Sequence, residues 1–147
     1  MFGQHVFFIN FGLPQINKIM NIKSFFLSGI AGTAISFFLG LLFYNHLFTD
    51  IFPDDAEQCV LFIFLGYLYY AFTFTLIFSR WKRINTFKSG AKAGFLIGLL
   101  WSLSMSFFMY ASMSGLDFNF TIIVAIDSVS AAIMGGVIAF VAGNTKA

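Results

Sequence analysis

The chain reads as an all-α, polytopic membrane protein: four transmembrane helices in one bundle, with both termini cytoplasmic. Three observations predict this. Of its 147 residues, 59% are hydrophobic and only 10% charged, with a mean hydropathy of +0.88, whereas a soluble domain carries roughly 25% charged residues. Four stretches reach the about 20 mainly apolar residues that a helix needs to cross the hydrocarbon core. All eight Lys and Arg residues flank one side of these stretches, and every acidic residue except Asp127 flanks the other.

Residues 1–19 are set apart as an N-terminal extension. They contain several Phe, are interrupted by Pro14, and have no basic segment leading into an apolar core, so a cleaved signal peptide is not expected. Two readings stay open: a short interfacial segment, or sequence upstream of a start at Met20. The second draws on Met20-Asn21-Ile22-Lys23, which sets a compact basic flank directly before the first span. The four-helix transmembrane domain then occupies 20–147. Its spans are expected near Ser24 to Phe48, Gln58 to Phe78, Ala91 to Ser112, and Asn119 to Ala142. The apolar runs are continuous and lack the alternation of a membrane β-barrel. The loops leave no room for a soluble domain.

Lys18 and Lys23 precede the first span, Arg80, Lys82, Arg83, Lys88 and Lys92 fill the connection between the second and third, and Lys146 follows the fourth. The other two connections hold Asp50, Asp54, Asp55 and Glu57, then Asp117, with no basic residue. Because cytoplasmic loops carry the excess of Lys and Arg, this partition predicts that both termini are cytoplasmic. Trp81, Tyr44 and Tyr110 lie near span ends, where amphipathic rings favour the interface.

Helices in lipid gain little from hydrophobic transfer against one another, so close approach through small residues matters more. Three spans carry small residues at every fourth position, which keeps them on one helix face. These are Ser28, Gly32, Ser36 and Gly40 in the first, Gly90, Gly94, Gly98, Ser102 and Ser106 in the third, and Ala131, Gly135, Ala139 and Gly143 in the fourth. The third-span run is expected to be a packing seam, either within the chain or between copies. In the second span Phe62, Phe64, Tyr67, Tyr69, Tyr70, Phe72, Phe74 and Phe78 surround a lone Gly66, which suits a lipid-facing helix or one wall of an aromatic-lined cavity.

Asp127 lies about eight residues into the fourth span, a depth of roughly 12 Å. Inserting it costs about 2.5 to 3.5 kcal/mol, while each apolar neighbour returns about 0.3 to 0.6, so the span still inserts. Its spacing from Ala131 and Gly135 puts it on the small-residue face, pointing into the bundle. Counting the same depth along the other spans brings Gly40, Tyr67 and the turn from Ser102 to Ser106 to its level; Tyr67 and Ser106 are candidates to hydrogen-bond it. An acid at such a depth is a functional-site candidate for proton-linked chemistry. The competing reading is a structural hydrogen-bonding residue joining the fourth span to the third.

Other chemistry finds little footing. A net charge of +2 tied to helix flanks does not suggest nucleic-acid binding. Cys59 is the only cysteine, so no intrachain disulfide forms. His46 near Asp50 lacks a defined metal-ligand set, and the turn from Asp50 to Glu57, broken by Pro53, reads as a solvated outer turn. No metal or cofactor is expected. No catalytic motif appears, so the chain is not expected to be an enzyme.

Met20-Asn21-Ile22-Lys23 opening the first span, Leu39-Gly40-Leu41-Leu42-Phe43-Tyr44 at its end, Thr86-Phe87-Lys88-Ser89-Gly90-Ala91-Lys92-Ala93-Gly94 entering the third, and Met134-Gly135-Gly136-Val137 late in the fourth give residues 20–147 a family likeness. The segment resembles a family of small, uncharacterised bacterial four-span integral membrane proteins. That resemblance implies a bacterial inner-membrane location and a four-helix fold, with no activity to carry over. The expected role is a structural or accessory membrane component, with the lipid bilayer and a membrane-protein partner or homo-oligomer as partners. The alternative is an oligomeric carrier of protons or a small hydrophobic solute that uses Asp127 and associates through the third-span stripe.

Overall fold

The computed structural model describes residues 21–43, 60–81, 83–111 and 119–145. They form four helices, α1 (Ile22–Leu42), α2 (Val60–Arg80), α3 (Phe87–Ala111) and α4 (Asn119–Asn144). The shortest have 21 residues, about 32 Å at 1.5 Å per residue, against a hydrocarbon core of about 30 Å. All four are long and apolar enough to cross a membrane. The N-terminal extension with Met20, Tyr44, His46, the acidic turn from Asp50 to Glu57, Cys59, Asp117 and Lys146 lie outside the described residues, as does the side chain of Tyr110.

Helix starts differ from the expected spans where polar residues do the work. At α1 the side chain of Asn21 accepts from the backbone N–H of Lys23, so the helix starts at Ile22, ahead of the apolar run. At α3 a reciprocal cap forms: the Ser89 N–H donates to Thr86 Oγ1 and the Thr86 N–H to Ser89 Oγ. This arrangement satisfies two otherwise orphaned donors, with Ser in the place that Glu or Gln usually takes. It starts α3 at Phe87, four residues before the expected Ala91. A hydropathy reading passes over Lys88, Ser89 and Gly90 because they add no apolarity.

The topology is up-down-up-down, with α4 at the centre. Half of the α4 span is buried, against 17% for α2 and 22% for α3. α3 packs along α4, α1 packs on both α4 and α2, and α2 makes a slimmer contact with α4. Ser24 at the start of α1 bonds Ala142 and Thr145 at the end of α4, and further along α1 the Gly32 backbone lies against Ile138. The two helices therefore run antiparallel. The core comprises Ala71, Phe74, Phe78, Ile84, Ala131, Met134, Ile138 and Ala139.

The second helix is mostly outward-facing, as expected of a lipid-facing helix, with 17% of its span buried. Its inward face was not expected: there Phe74 and Phe78 are 1% and 3% exposed and fill the core, with Ala71 and Thr75 buried beside them. The ring of Phe78 reaches Gly135. Gly66 meets nothing, and the small positions that let α2 approach α1 are instead Ala71 on Gly32 and the space that Gly29 leaves for Phe72. Phe62, Tyr69 and Leu76 face outward. The outer surface of the bundle is apolar on all four helices, with Phe26, Ile30, Phe38, Leu96, Leu100, Phe108 and Phe140 exposed.

Serine and threonine hydroxyls are handled mostly within their own helices. Those of Ser28, Thr33, Ser36, Thr75 and Ser128 each donate to the carbonyl four residues back. Such back-bonding satisfies a hydroxyl without a partner helix, so these side chains act in packing as small residues.

Candidate functional site

The α3 stripe and the α4 stripe meet face to face and lead to Asp127. The backbone of Gly90 lies against the Gly135 carbonyl and the Ala139 methyl, Gly94 against the Ala131 carbonyl, and Gly98 against the Ala131 methyl. A turn further, Ser102 Oγ donates to Asp127 Oδ2 at 3.0 Å. The seam thus runs antiparallel from the basic end of the bundle to the carboxylate, and it lies within the chain. A Cβ at Gly90 or Gly94 would strike a backbone carbonyl, which cannot rotate away as a side-chain tip can. Of the two places open to the third-span stripe, within the chain or between copies, the structure shows it packed against α4 within the chain.

Asp127 is half-buried on α4 and is the one acidic residue among those described. Ser102 and Ser106 are 2% and 4% exposed on the facing side of α3. Ser102 forms the bond, while Ser106 sits one turn further along the same face. Tyr67 and Tyr70 of α2 both stand within electrostatic range of the carboxyl group. The Tyr67 hydroxyl end rests against Gly40 of α1, where any side chain would displace it. Gly40 therefore makes room for a phenol and does not bring two backbones together, whereas Gly32 accepts Ile138 and Ala71.

Tyr70 is the site residue that sequence reasoning missed. The signal was present: it lies three residues after Tyr67, one turn along the same face. Its ring packs edge-on against Phe74 at a centroid distance of 4.9 Å, and Phe74 against Phe78 at 5.8 Å, so an aromatic column fixes it to the core. On the other side Phe37 of α1 packs against Tyr67 and Phe64.

The site thus has a carboxyl group on α4 and a serine hydroxyl of α3 bonded to it, with two phenols of α2 within electrostatic range. Lys23, Arg80, Arg83, Lys88 and Lys92 occupy the opposite helix ends. Among the described residues no group of three or more metal-binding side chains converges. What the arrangement can do chemically is exchange hydrogen bonds at the Asp127 carboxyl.

Comparison with protein-family models, with curated proteins and with solved structures gave no match. The likeness to bacterial four-span membrane proteins accordingly rests on the residues quoted for it alone.

Proposed function

We propose that this chain is a multi-pass protein of the bacterial inner membrane with both termini cytoplasmic, and that it serves as a structural or accessory component of that membrane. The observation that carries the reading is the bond from Ser102 to Asp127 at the end of the α3–α4 seam. A polar pair in that position joins α3 to α4 within the chain, which is what a structural role for Asp127 requires. The apolar exterior and the collection of basic side chains at one end support insertion in that orientation.

The test is purification of the full chain from bacterial membranes in mild detergent, followed by identification of what stays bound. A stoichiometric membrane-protein partner is expected. A chain that remains alone and turns over a lipid substrate would replace this role with an enzymatic one.

A second reading is favoured by one observation: the carboxyl group that Ser102 holds lies well inside an apolar span. Acids inside membrane spans commonly mark proton or solute pathways. On this reading an oligomer carries protons or a small hydrophobic solute past Asp127. Flux into liposomes that depends on pH and disappears in Asp127→Asn supports it; flux that survives the substitution removes it.

A further inference from the structure

The bundle closes tightly at the end that carries the basic side chains. There the Phe87 ring covers Gly136, the Asn85 backbone lies against Gly143, and Gly90 meets the Gly135 carbonyl. Ser24 of α1 bonds Thr145 and the Ala142 carbonyl at the same end. Phe74, Phe78, Ile84, Met134 and Ile138, none more than 7% exposed, fill the space from these contacts to the middle of the bundle. Whatever reaches Asp127 must come from another direction.

Away from the basic end the helices part. The buried residues of α2, Ala71, Phe74, Thr75 and Phe78, all lie in its second half, whereas α3 still buries Ser102 and Ser106 against α4 at the level of Asp127. Residues 60–70 of α2 follow α1 instead: Phe37 packs on Phe64 and Tyr67, and the Tyr67 hydroxyl end rests against Gly40. α2 and α3 make almost no contact with each other. Asp127 bonds Ser102 of α3 and lies in electrostatic range of Tyr67 and Tyr70 of α2, so its face of α4 looks into the interval between those two helices. Positions three and four apart share a helix face, and one such strip of α4 passes from open to closed. Ile123, Asp127 and Ser130 are partly exposed, while Met134 and Ile138 are fully buried. At about 12 Å from the start of α4, the open part of the strip borders hydrocarbon and not water.

We propose that the Asp127 carboxyl is a side-entry site, reached from the hydrocarbon through the interval between residues 60–70 of α2 and the facing part of α3, and closed toward the basic end. Its ligand is a membrane-dissolved apolar molecule that carries a hydrogen-bond donor, because carboxyl oxygens accept hydrogen bonds and the approach is apolar. The inference rests on the carrier reading, which it deepens by naming the class of solute and its entrance.

The test is carbodiimide labelling of the full chain in phosphatidylcholine vesicles, read by mass spectrometry of its peptides over a series of pH values. The carboxyl proton passes to one reagent nitrogen while the carboxylate oxygen bonds the central carbon. Transfer of the acyl group to nitrogen then gives a stable N-acylurea that keeps every atom of the reagent. Lipid-soluble dicyclohexylcarbodiimide should modify Asp127, and a carbodiimide bearing a quaternary ammonium, confined to water on both sides of the vesicle, should spare it. Asp127→Asn should remove the label from the α4 peptide. Para-butylphenol should slow the labelling more than butylbenzene, which has a similar shape without the donor. No label at Asp127 from the lipid-soluble reagent, or equal labelling by the water-confined one, would overturn the side entry, and equal slowing by the two competitors would overturn the ligand class. Labelling without flux keeps the entrance and removes the carrier; flux that is lost in Asp127→Asn but comes without labelling does the reverse.

Discussion

A side-chain hydrogen bond between membrane helices contributes about 0.6 kcal/mol on average and about 1.7 at most, because the separated helices find other partners. Ser102→Ala is therefore expected to lower the stability of the bundle by an amount in that range, measured by reversible denaturation in mixed micelles. Asp127→Asn keeps an oxygen that can accept from Ser102. On the structural reading it should retain wild-type stability, and Asp127→Ala should cost at least as much as Ser102→Ala. A marked loss of stability in Asp127→Asn would show that the acid itself, and not its acceptor oxygen, holds the helices. The level of this site along the bundle was legible in the sequence, since counting residues from the span ends brings Gly40, Tyr67 and the turn from Ser102 to Ser106 to the depth of Asp127. Which hydroxyl reaches the carboxyl was not legible. Ser102 and Ser106 share one face of α3, and a shift of one turn between helices exchanges their roles.

Between elements, the α3–α4 seam depends on absent side chains. Gly94→Ala would drive a methyl group into the Ala131 carbonyl, and overpacking of this kind costs about 1 to 3 kcal/mol. Gly66→Ala meets no atom within 4 Å and removes a helix glycine, so it should be neutral or stabilise α2 by up to about 1 kcal/mol. Comparing the unfolding midpoints of the two variants separates a packing glycine from an incidental one. A further expectation concerns the start of α3: Thr86→Ala removes one half of the reciprocal cap and should cost about 0.5 to 2 kcal/mol. The stripes themselves were evident from four-residue spacing. Their pairing was not, because a small residue is compatible with a backbone, a methyl group or a ring. Gly40 receives a tyrosine, Gly32 an isoleucine, and Gly94 a carbonyl.

For the molecule as a whole, the seam predicts how cysteines at its two sides behave. With Cys59 replaced by Ser, the pair Gly98→Cys and Ala131→Cys should crosslink within one chain on oxidation once α3 and α4 move slightly apart. An added Cβ at Gly98 overlaps the Ala131 methyl, and a disulfide needs about 3.8 Å between Cβ atoms. Gly98→Cys alone should give no disulfide-linked dimer on a non-reducing gel, because the position is covered by α4. A dimer from the single variant would mean that the seam opens to a second copy. Length, hydropathy and charge by themselves determined the number of helices, their approximate bounds, and the gathering of basic side chains at one end. These properties depend on each segment's exchange with water and lipid, which a residue carries whatever its neighbours are. The tertiary structure decided that α4 is central, that the third stripe is used within the chain, that Phe74 and Phe78 point inward while Phe62 points outward, and that Tyr70 joins the polar site. Lipid and protein interior are similarly apolar, so hydropathy does not distinguish an inward phenylalanine from an outward one. That choice falls to shape: Phe78 is buried where Gly135 leaves space for its ring.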